Sequence, residues 1–408
     1  MAVPGGLPVA PVGWLRWDGV SVSGISALLD VAWFRAHIAE ELLPRWLAVA
    51  PTPEGLLLPH VDARWRPVDR GFSTIVSQGR LVHNFAAGHV LTGDEGYRTV
   101  VRRGADYIVE HFVDRDFGGV FWSVGRGGRV LEDYKDAYGH AFALFGLASA
   151  AACTGDDRYA AAAESVWRWV EEHLADDAGG LAQRTDREGI QILDEVRSQN
   201  PVMHMFEALL WLSMVPGMGH MTSAAQGVGD FITGELMRAD GALPETYDPA
   251  WRALPDSAGG WINIGHLFEW AFLLSRAVEV GLPSRYAGPA AALLEFGLAH
   301  GMDADGGVRT SYPVGGGAGD RSRPRGWWEQ CEATRALAHH VAARGRGDLA
   351  EALLRNVGFW REHFTDPEVG GWYPHEDARN ADKGNEWKVD YHVVAMCSEV
   401  VRLASIED

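Results

Sequence analysis

Cysteine is scarce in this chain: Cys153, Cys331 and Cys397 are the only three in 408 residues, far apart and without metal-type or disulfide-framework spacing. That excludes a disulfide-stapled scaffold and suits a reducing compartment. Basic residues are also in deficit, 36 Lys and Arg against 55 Asp and Glu, for a net charge of -19. Such a field repels phosphate backbones and anionic headgroups, so neither nucleic acid nor a membrane surface is an expected partner. No apolar run reaches the ~18 residues that would span a bilayer. The N-terminal stretch Met1-Ala2-Val3-Pro4-Gly5-Gly6 lacks the basic and apolar regions of a signal peptide, which makes the cytoplasm the expected location. No Walker-type loop occurs, since Gly315-Gly316-Gly317 lacks the following Lys and Ser/Thr, and there is no Gly-x-Ser-x-Gly elbow. Period-two alternation is rare, so a large sheet is not expected.

Helical periodicity is what the chain has in abundance. After a Gly-, Pro- and Val-rich stretch, residues 1–24, read as an extended leader, Ser26 to Val49 carries Leu28, Leu29, Phe34, Ile38, Leu42 and Trp46 at helical spacing. A glycine-bearing turn then recurs as Gly55-Leu56, Gly118-Gly119-Val120, Gly179-Gly180-Leu181, Gly241-Ala242-Leu243, Gly306-Gly307-Val308 and Gly370-Gly371-Trp372. The first glycines are 63, 61, 62, 65 and 64 residues apart. That period leaves room for two helices of about 15–20 residues and their connections. Each unit is thus a helical hairpin that must stack on neighbours to bury its apolar face. Six such units can form an open solenoid or a closed ring; six is the number at which double-layered helical rings commonly close, so the expected fold is an all-α (α/α)6 barrel spanning residues 25–408 as a single domain.

A polar residue follows each turn by 22 to 25 positions: Gln78, His140, His204, His266, Glu329 and His392. In a closed ring, equivalent positions at equivalent helix ends converge on one mouth. A single histidine is usually structural; four in one register point to a site. Imidazoles exchange protons near neutrality, which suits general acid–base chemistry. His204-x-x-Glu207 and His266-x-x-Glu269 each place a carboxylate one turn from an imidazole, where it can orient the ring. Close-paired ligands of the His-x-x-x-His kind are missing around these positions, so no metal ion is expected. Trp328 and Trp372 lie near the register and are candidates for stacking on a sugar's C–H face.

At these residues the chain resembles the N-acylglucosamine 2-epimerase superfamily, which includes cellobiose 2-epimerases, mannose 2-epimerases and mannose isomerases. The resemblance is carried by Gln78-Gly79-Arg80, Tyr138-Gly139-His140, Asn200-Pro201-Val202-Met203-His204, Gly265-His266-Leu267-Phe268-Glu269, Trp327-Trp328-Glu329-Gln330-Cys331-Glu332 and Lys388-Val389-Asp390-Tyr391-His392. It implies a cofactor-independent isomerase that acts at C2 of a sugar through a cis-enediolate. His266 and His392 are then the expected acid–base pair, Arg80 the oxyanion partner, His204 a group that assists ring opening or binds the substrate, and Glu269 the orienter of His266. His140, Asn200, Glu207, Trp328, Glu329 and Trp372 are the expected substrate contacts. Relatives acting on sulfonated or N-acetylated sugars carry an Arg shortly before the Gly-His pair; residues 258–264 have none, so the resemblance implies a neutral aldose such as mannose or glucose. Epimerisation is the first expectation, with aldose–ketose isomerisation second and an inverting glycoside hydrolase on the same fold more remote. The expected partner is a small sugar, and a homodimer stays open as the assembly.

Overall fold

The computed structural model describes residues 24–192, 196–317, 319 and 323–406. The expected leader, apart from Gly24, lies outside them. Twelve main helices form two layers. The inner ones are α2 (Ile75–Thr92), α4 (Ala137–Thr154), α6 (Gln199–Ser213), α8 (Ile264–Glu279), α10 (Trp327–Arg344) and α12 (Tyr391–Ala404). Between them run the outer helices α1 (31–49), α3 (Glu95–Tyr107), α5 (Asp157–His173), α7 (Thr222–Phe231), α9 (Ala287–Gly301) and α11 (Ala350–His363). Each inner helix packs on the next, and α12 returns to α2, so the ring closes as the (α/α)6 barrel that the repeat predicted. Inner helices are buried nearly throughout, polar residues included, whereas outer helices such as α3 and α5 bury one face. No helix among the described residues is long and apolar enough to cross a membrane.

The glycine turns and the short strands tie the hairpins together at one end. The residues just before an inner helix pair antiparallel with residues beyond the next glycine turn: Phe72–Thr74 with Ser123–Gly125, Lys135–Asp136 with Arg184–Thr185, Arg197–Ser198 with Thr246–Tyr247, and Ile262–Asn263 with Ser311–Tyr312. A single bridge between Gly326 and His375 continues the belt, and Val61 with Gly384 closes it. The inner helices therefore all begin at this belt, with their N-terminal turns aimed at the same end of the axis.

Their register sorts the side chains. The second, sixth and ninth residues of a helix share a face. Second positions hold Tyr138, Asn200, Trp328 and His392; sixth positions hold Arg80, Phe142, His204, Glu269 and Glu332; ninth positions hold His83, Phe145, Glu207, Phe272, Arg335 and Glu399. The barrel axis is thus filled by stacked polar and aromatic layers.

Close approach of α2 and α4 depends on glycine. A Cβ on Gly79 would lie 2.1 Å from the Phe142 carbonyl oxygen, whereas one on Gly358 of α11 meets nothing within 4 Å. Gly79→Ala is expected to destabilise the protein by about 1–3 kcal/mol despite the better helix propensity of alanine. Gly358→Ala should be neutral or stabilising by up to about 1 kcal/mol. Denaturant midpoints for the two variants check this, and equal midpoints would refute it.

Candidate active site

A cavity of about 550 Å3 opens at the belt end of the axis. Arg80, Tyr138, Asn200, His204, His266, Trp328 and His392 form its inner part, and Trp122, Tyr134, Asp136, Arg184, Asn263, Trp327 and Trp387 are among the residues of its outer part and rim.

Three imidazoles reach this cavity, and each turns Nδ1 towards a carboxylate. His266 Nδ1 lies 2.6 Å from Glu245 Oε2. Trp270 donates to Gln199 Oε1 at 2.6 Å, which fixes the amide so that Gln199 Nε2 donates to the same Glu245 oxygen at 2.7 Å. Gln199 Nε2 also lies 2.9 Å from His266 Nδ1, and the shorter contact with the Glu245 acceptor makes Nδ1 the protonated nitrogen and leaves Nε2 for the proton exchanged in the cavity. His392 Nδ1 lies 2.7 Å from Glu332 Oε1, and His204 Nδ1 3.1 Å from Glu207 Oε2. Burial lowers the pKa of His204 to about 4 and that of His392 well below the ordinary imidazole value. Both rings are therefore neutral near pH 7 and able to accept a proton.

The carboxylates behind them differ sharply. Burial opposes the charge on Glu207, but hydrogen bonds from His204 and Tyr391 and the nearby Arg335 hold its pKa down to about 2. Burial pushes Glu332 up to about 7. Glu269 is fully buried and neither of its oxygens has a hydrogen-bond partner. Burial and the neighbouring Glu332 and Glu207 raise its pKa well above the ordinary value, so it is the neutral acid. His204, Glu207 and Glu269, and likewise Glu269, Glu332 and His392, bring ligand-type atoms within 4.8 Å of one another and could hold a cation. The hydrogen bonds that orient His204 and His392 already engage most of those atoms.

Arg80 supplies positive charge at the cavity floor. Its Nη2 donates to Tyr138 Oη at 2.6 Å and its Nη1 to the Trp387 carbonyl at 2.9 Å, while Phe142 lies beneath the guanidinium at 4.3 Å. The Trp328 indole packs against both His266 and His392, with ring centroids 5.0 and 5.4 Å away. Gly265 makes that position possible, because a Cβ there would lie 2.5 Å from the indole.

Several expected site residues lie elsewhere. His140 donates from Nδ1 to the Asp136 carbonyl at 2.8 Å, accepts the Val120 N–H on Nε2 at 3.0 Å and stacks on Trp169. Gln78 makes the equivalent contact with the Leu57 N–H, and Gln330, not Glu329, does so with the Val308 N–H. All three are fourth residues of their helices and clasp the glycine turn, away from the axis. Glu329 is buried outside the cavity lining, accepting from Thr310 Oγ1 at 2.7 Å. Trp372 packs against Trp360 behind the wall and donates to His37 Nε2 at 2.8 Å. Glu269 faces His204 at 3.9 Å, so Glu245, not Glu269, orients His266. Glu245 was missed because it sits in a loop, where no helical register marks it. Glu332 was visible only as the last residue of the Trp327-to-Glu332 motif. Tyr138 and Trp387 carried no signal separable from core packing.

Comparison with known proteins fits this geometry. The sequence profile of the N-acylglucosamine 2-epimerase (GlcNAc 2-epimerase) family matches residues 60–396. A cellobiose 2-epimerase of Bacteroides fragilis is 25% identical over 391 residues, covering 90% of this chain and 97% of the relative. A D-mannose isomerase of Thermobifida fusca is 28% identical over 329 residues, covering 76% and 78%. The crystal structure of a D-mannose isomerase superposes with a TM-score of 0.83 at 22% identity, covering 91% of this chain and 97% of that one.

Two variants separate turn-clasping from chemistry. His140→Gln should keep turnover within about twofold, since glutamine already fills that role in two repeats, whereas His140→Ala should cost about 1–3 kcal/mol of stability by orphaning the Val120 N–H. A large loss of turnover in a well-folded His140→Gln protein would return His140 to the site. His266→Ala and His392→Ala should each lower kcat by at least about 10²-fold with circular dichroism unchanged, and Glu245→Gln by about tenfold. Normal rates for any of the three would remove that residue from the mechanism.

Proposed function

The chain belongs to the N-acylglucosamine 2-epimerase family, and we propose that it is a carbohydrate 2-epimerase that inverts C2 of a neutral aldose through a cis-enediolate. The observation that carries this reading is the pair of carboxylate-backed imidazoles, His266 and His392, that line one cavity and both pack against the Trp328 indole. An enediolate is planar at C2, and two bases on opposite sides can take the proton from one face and return one to the other.

The neutral His204 takes the O1 proton of the pyranose and passes it to the ring oxygen as the C1–O5 bond breaks, which opens the ring to the aldehyde and leaves His204 neutral again. The carbonyl makes the C2 hydrogen acidic. His392 Nε2 removes it, the C–H electrons form the C1=C2 bond, and negative charge gathers on O1. Arg80, held in place by Tyr138 and the Trp387 carbonyl, meets that charge with a cation that needs no reorganisation. His266, protonated on Nε2 in that half-reaction, delivers its proton to the opposite face of C2, and ring closure follows. The reverse epimerisation exchanges the two roles. Glu245 and Glu332 hold the Nδ1–H of the two rings throughout.

Aldose–ketose isomerisation is the second reading, favoured by the similarity to D-mannose isomerases. It needs one histidine to carry the proton from C2 to C1. A hydrolase would need two opposed carboxyl groups. Among the described residues Asp136 is the one carboxylate lining the cavity, and it caps α4 by accepting the Tyr138 and Gly139 N–H groups. The proposed setting is the cytoplasm, in keeping with three free, buried cysteines.

Product analysis in heavy water with mannose, glucose and cellobiose tests the reaction. The expected early product is the C2 epimer carrying solvent deuterium at C2. Ketose appearing first, with the substrate proton partly conserved at C1, would replace this reading by the isomerase.

A further inference from the structure

A second, smaller cavity of about 60 Å3 lies inside the ring near the other ends of the inner helices. Three donor atoms belong to residues that line it and have no hydrogen-bond partner: Arg335 Nε, Trp211 Nε1 and Ser398 Oγ, each shut off from solvent. Arg335 is itself buried, with a side chain 4% exposed. Its two terminal nitrogens lie 3.4 Å from Glu332 Oε2 and 3.8 Å from Glu207 Oε1, long beside the roughly 2.8 Å of a good charge-assisted bond. Arg402 and Glu399 also line the cavity, but they are spent on each other at 2.7 and 2.8 Å. A buried donor without an acceptor costs about 1–3 kcal/mol, so three of them around one void call for an occupant that accepts. The volume suits about two water-sized bodies. Water would bring hydrogens that themselves need acceptors, whereas a halide accepts from every side and is favoured by the guanidinium.

We propose that this cavity is a binding site for a monatomic anion of chloride's size, and that the anion acts on turnover through Arg335. That guanidinium stands between the cavity and the two carboxylates that orient His204 and His392. An anion on its Nε side draws on the charge that otherwise serves Glu207 and Glu332. The site lies outside the sugar cavity, and its occupation does not depend on which sugar reaction is correct; only the effect on turnover rests on the acid–base roles assigned to those histidines.

Crystals soaked in sodium bromide test occupation directly. The expected result is an anomalous peak within hydrogen-bond distance of Arg335 Nε and Ser398 Oγ. In solution, Tm should be about 1–2 °C higher in sodium bromide than in sodium gluconate of equal ionic strength. That difference should vanish in Ser398→Ala and in Trp211→Phe, neither of which touches the sugar cavity. Water alone in the cavity, bromide only at the surface as an adventitious ion, or a Tm difference that survives in both variants would overturn the site. The kcat of the wild-type protein should change at least about twofold between the two salts, with KM little altered and Ser398→Ala insensitive. Bound bromide with kcat unchanged would overturn the regulatory half.

Discussion

A carboxylate taken out of water costs several kcal/mol unless hydrogen bonds or opposite charge meet it, and this barrel groups four of them behind its cavity imidazoles. Glu207, Glu245, Glu269 and Glu332 are all buried there, and the arrangement of the site follows from how each is met. Glu245 accepts from His266, Gln199 and Ser198; Glu207 accepts from His204 and Tyr391; Glu332 faces His392 and Arg335. The acids thus fix the tautomer of every imidazole that reaches the sugar cavity. Glu269 is the residue left over, and it stays neutral because no donor remains for it. Neutral Glu269 keeps the cluster from carrying one negative charge too many beneath an anionic intermediate.

Two-base chemistry also needs both bases held in place beside the substrate. Trp328 packs against both imidazoles, and Gly265 concedes the space for its indole. Gly265 and His266 are therefore one feature: the missing side chain of the first places the indole against which the second is held. The residues are adjacent in sequence because consecutive positions of α8 face the indole and the cavity in turn.

The period of the fold was legible because glycine turns and helical stripes repeat on a scale that survives divergence. The rotation of each helix was not. Gln78, His140, His204, His266, Glu329 and His392 share a register when counted from their turns, yet they occupy the fourth, fourth, sixth, third, third and second places of their helices. One residue of offset turns a side chain by about 100°. Counting therefore mixed three cavity histidines with two turn-clasping residues and with Glu329, one place before the clasping Gln330. Family motifs corrected the choice at His266 and His392 but retained His140, whose surroundings are conspicuous for a structural reason. Loop residues such as Glu245 obey no register, and only the folded belt brings it to His266.

The belt has a further consequence for the chemistry. Because every inner helix starts there, six positive helix ends face the cavity, each equivalent to roughly half an elementary charge. On α2, α4 and α6 part of that potential is answered by side-chain caps from Thr74, Asp136 and Ser198. The three helices that carry His266, Trp328 and His392 begin at Asn263, Gly326 and Asp390 with no side-chain cap at all. Their first N–H groups leave positive potential on the side of the cavity where the enediolate forms. A chain of net charge -19 thereby keeps an anion-stabilising pocket, with Arg80 supplying full positive charge on the floor and the backbone adding to it.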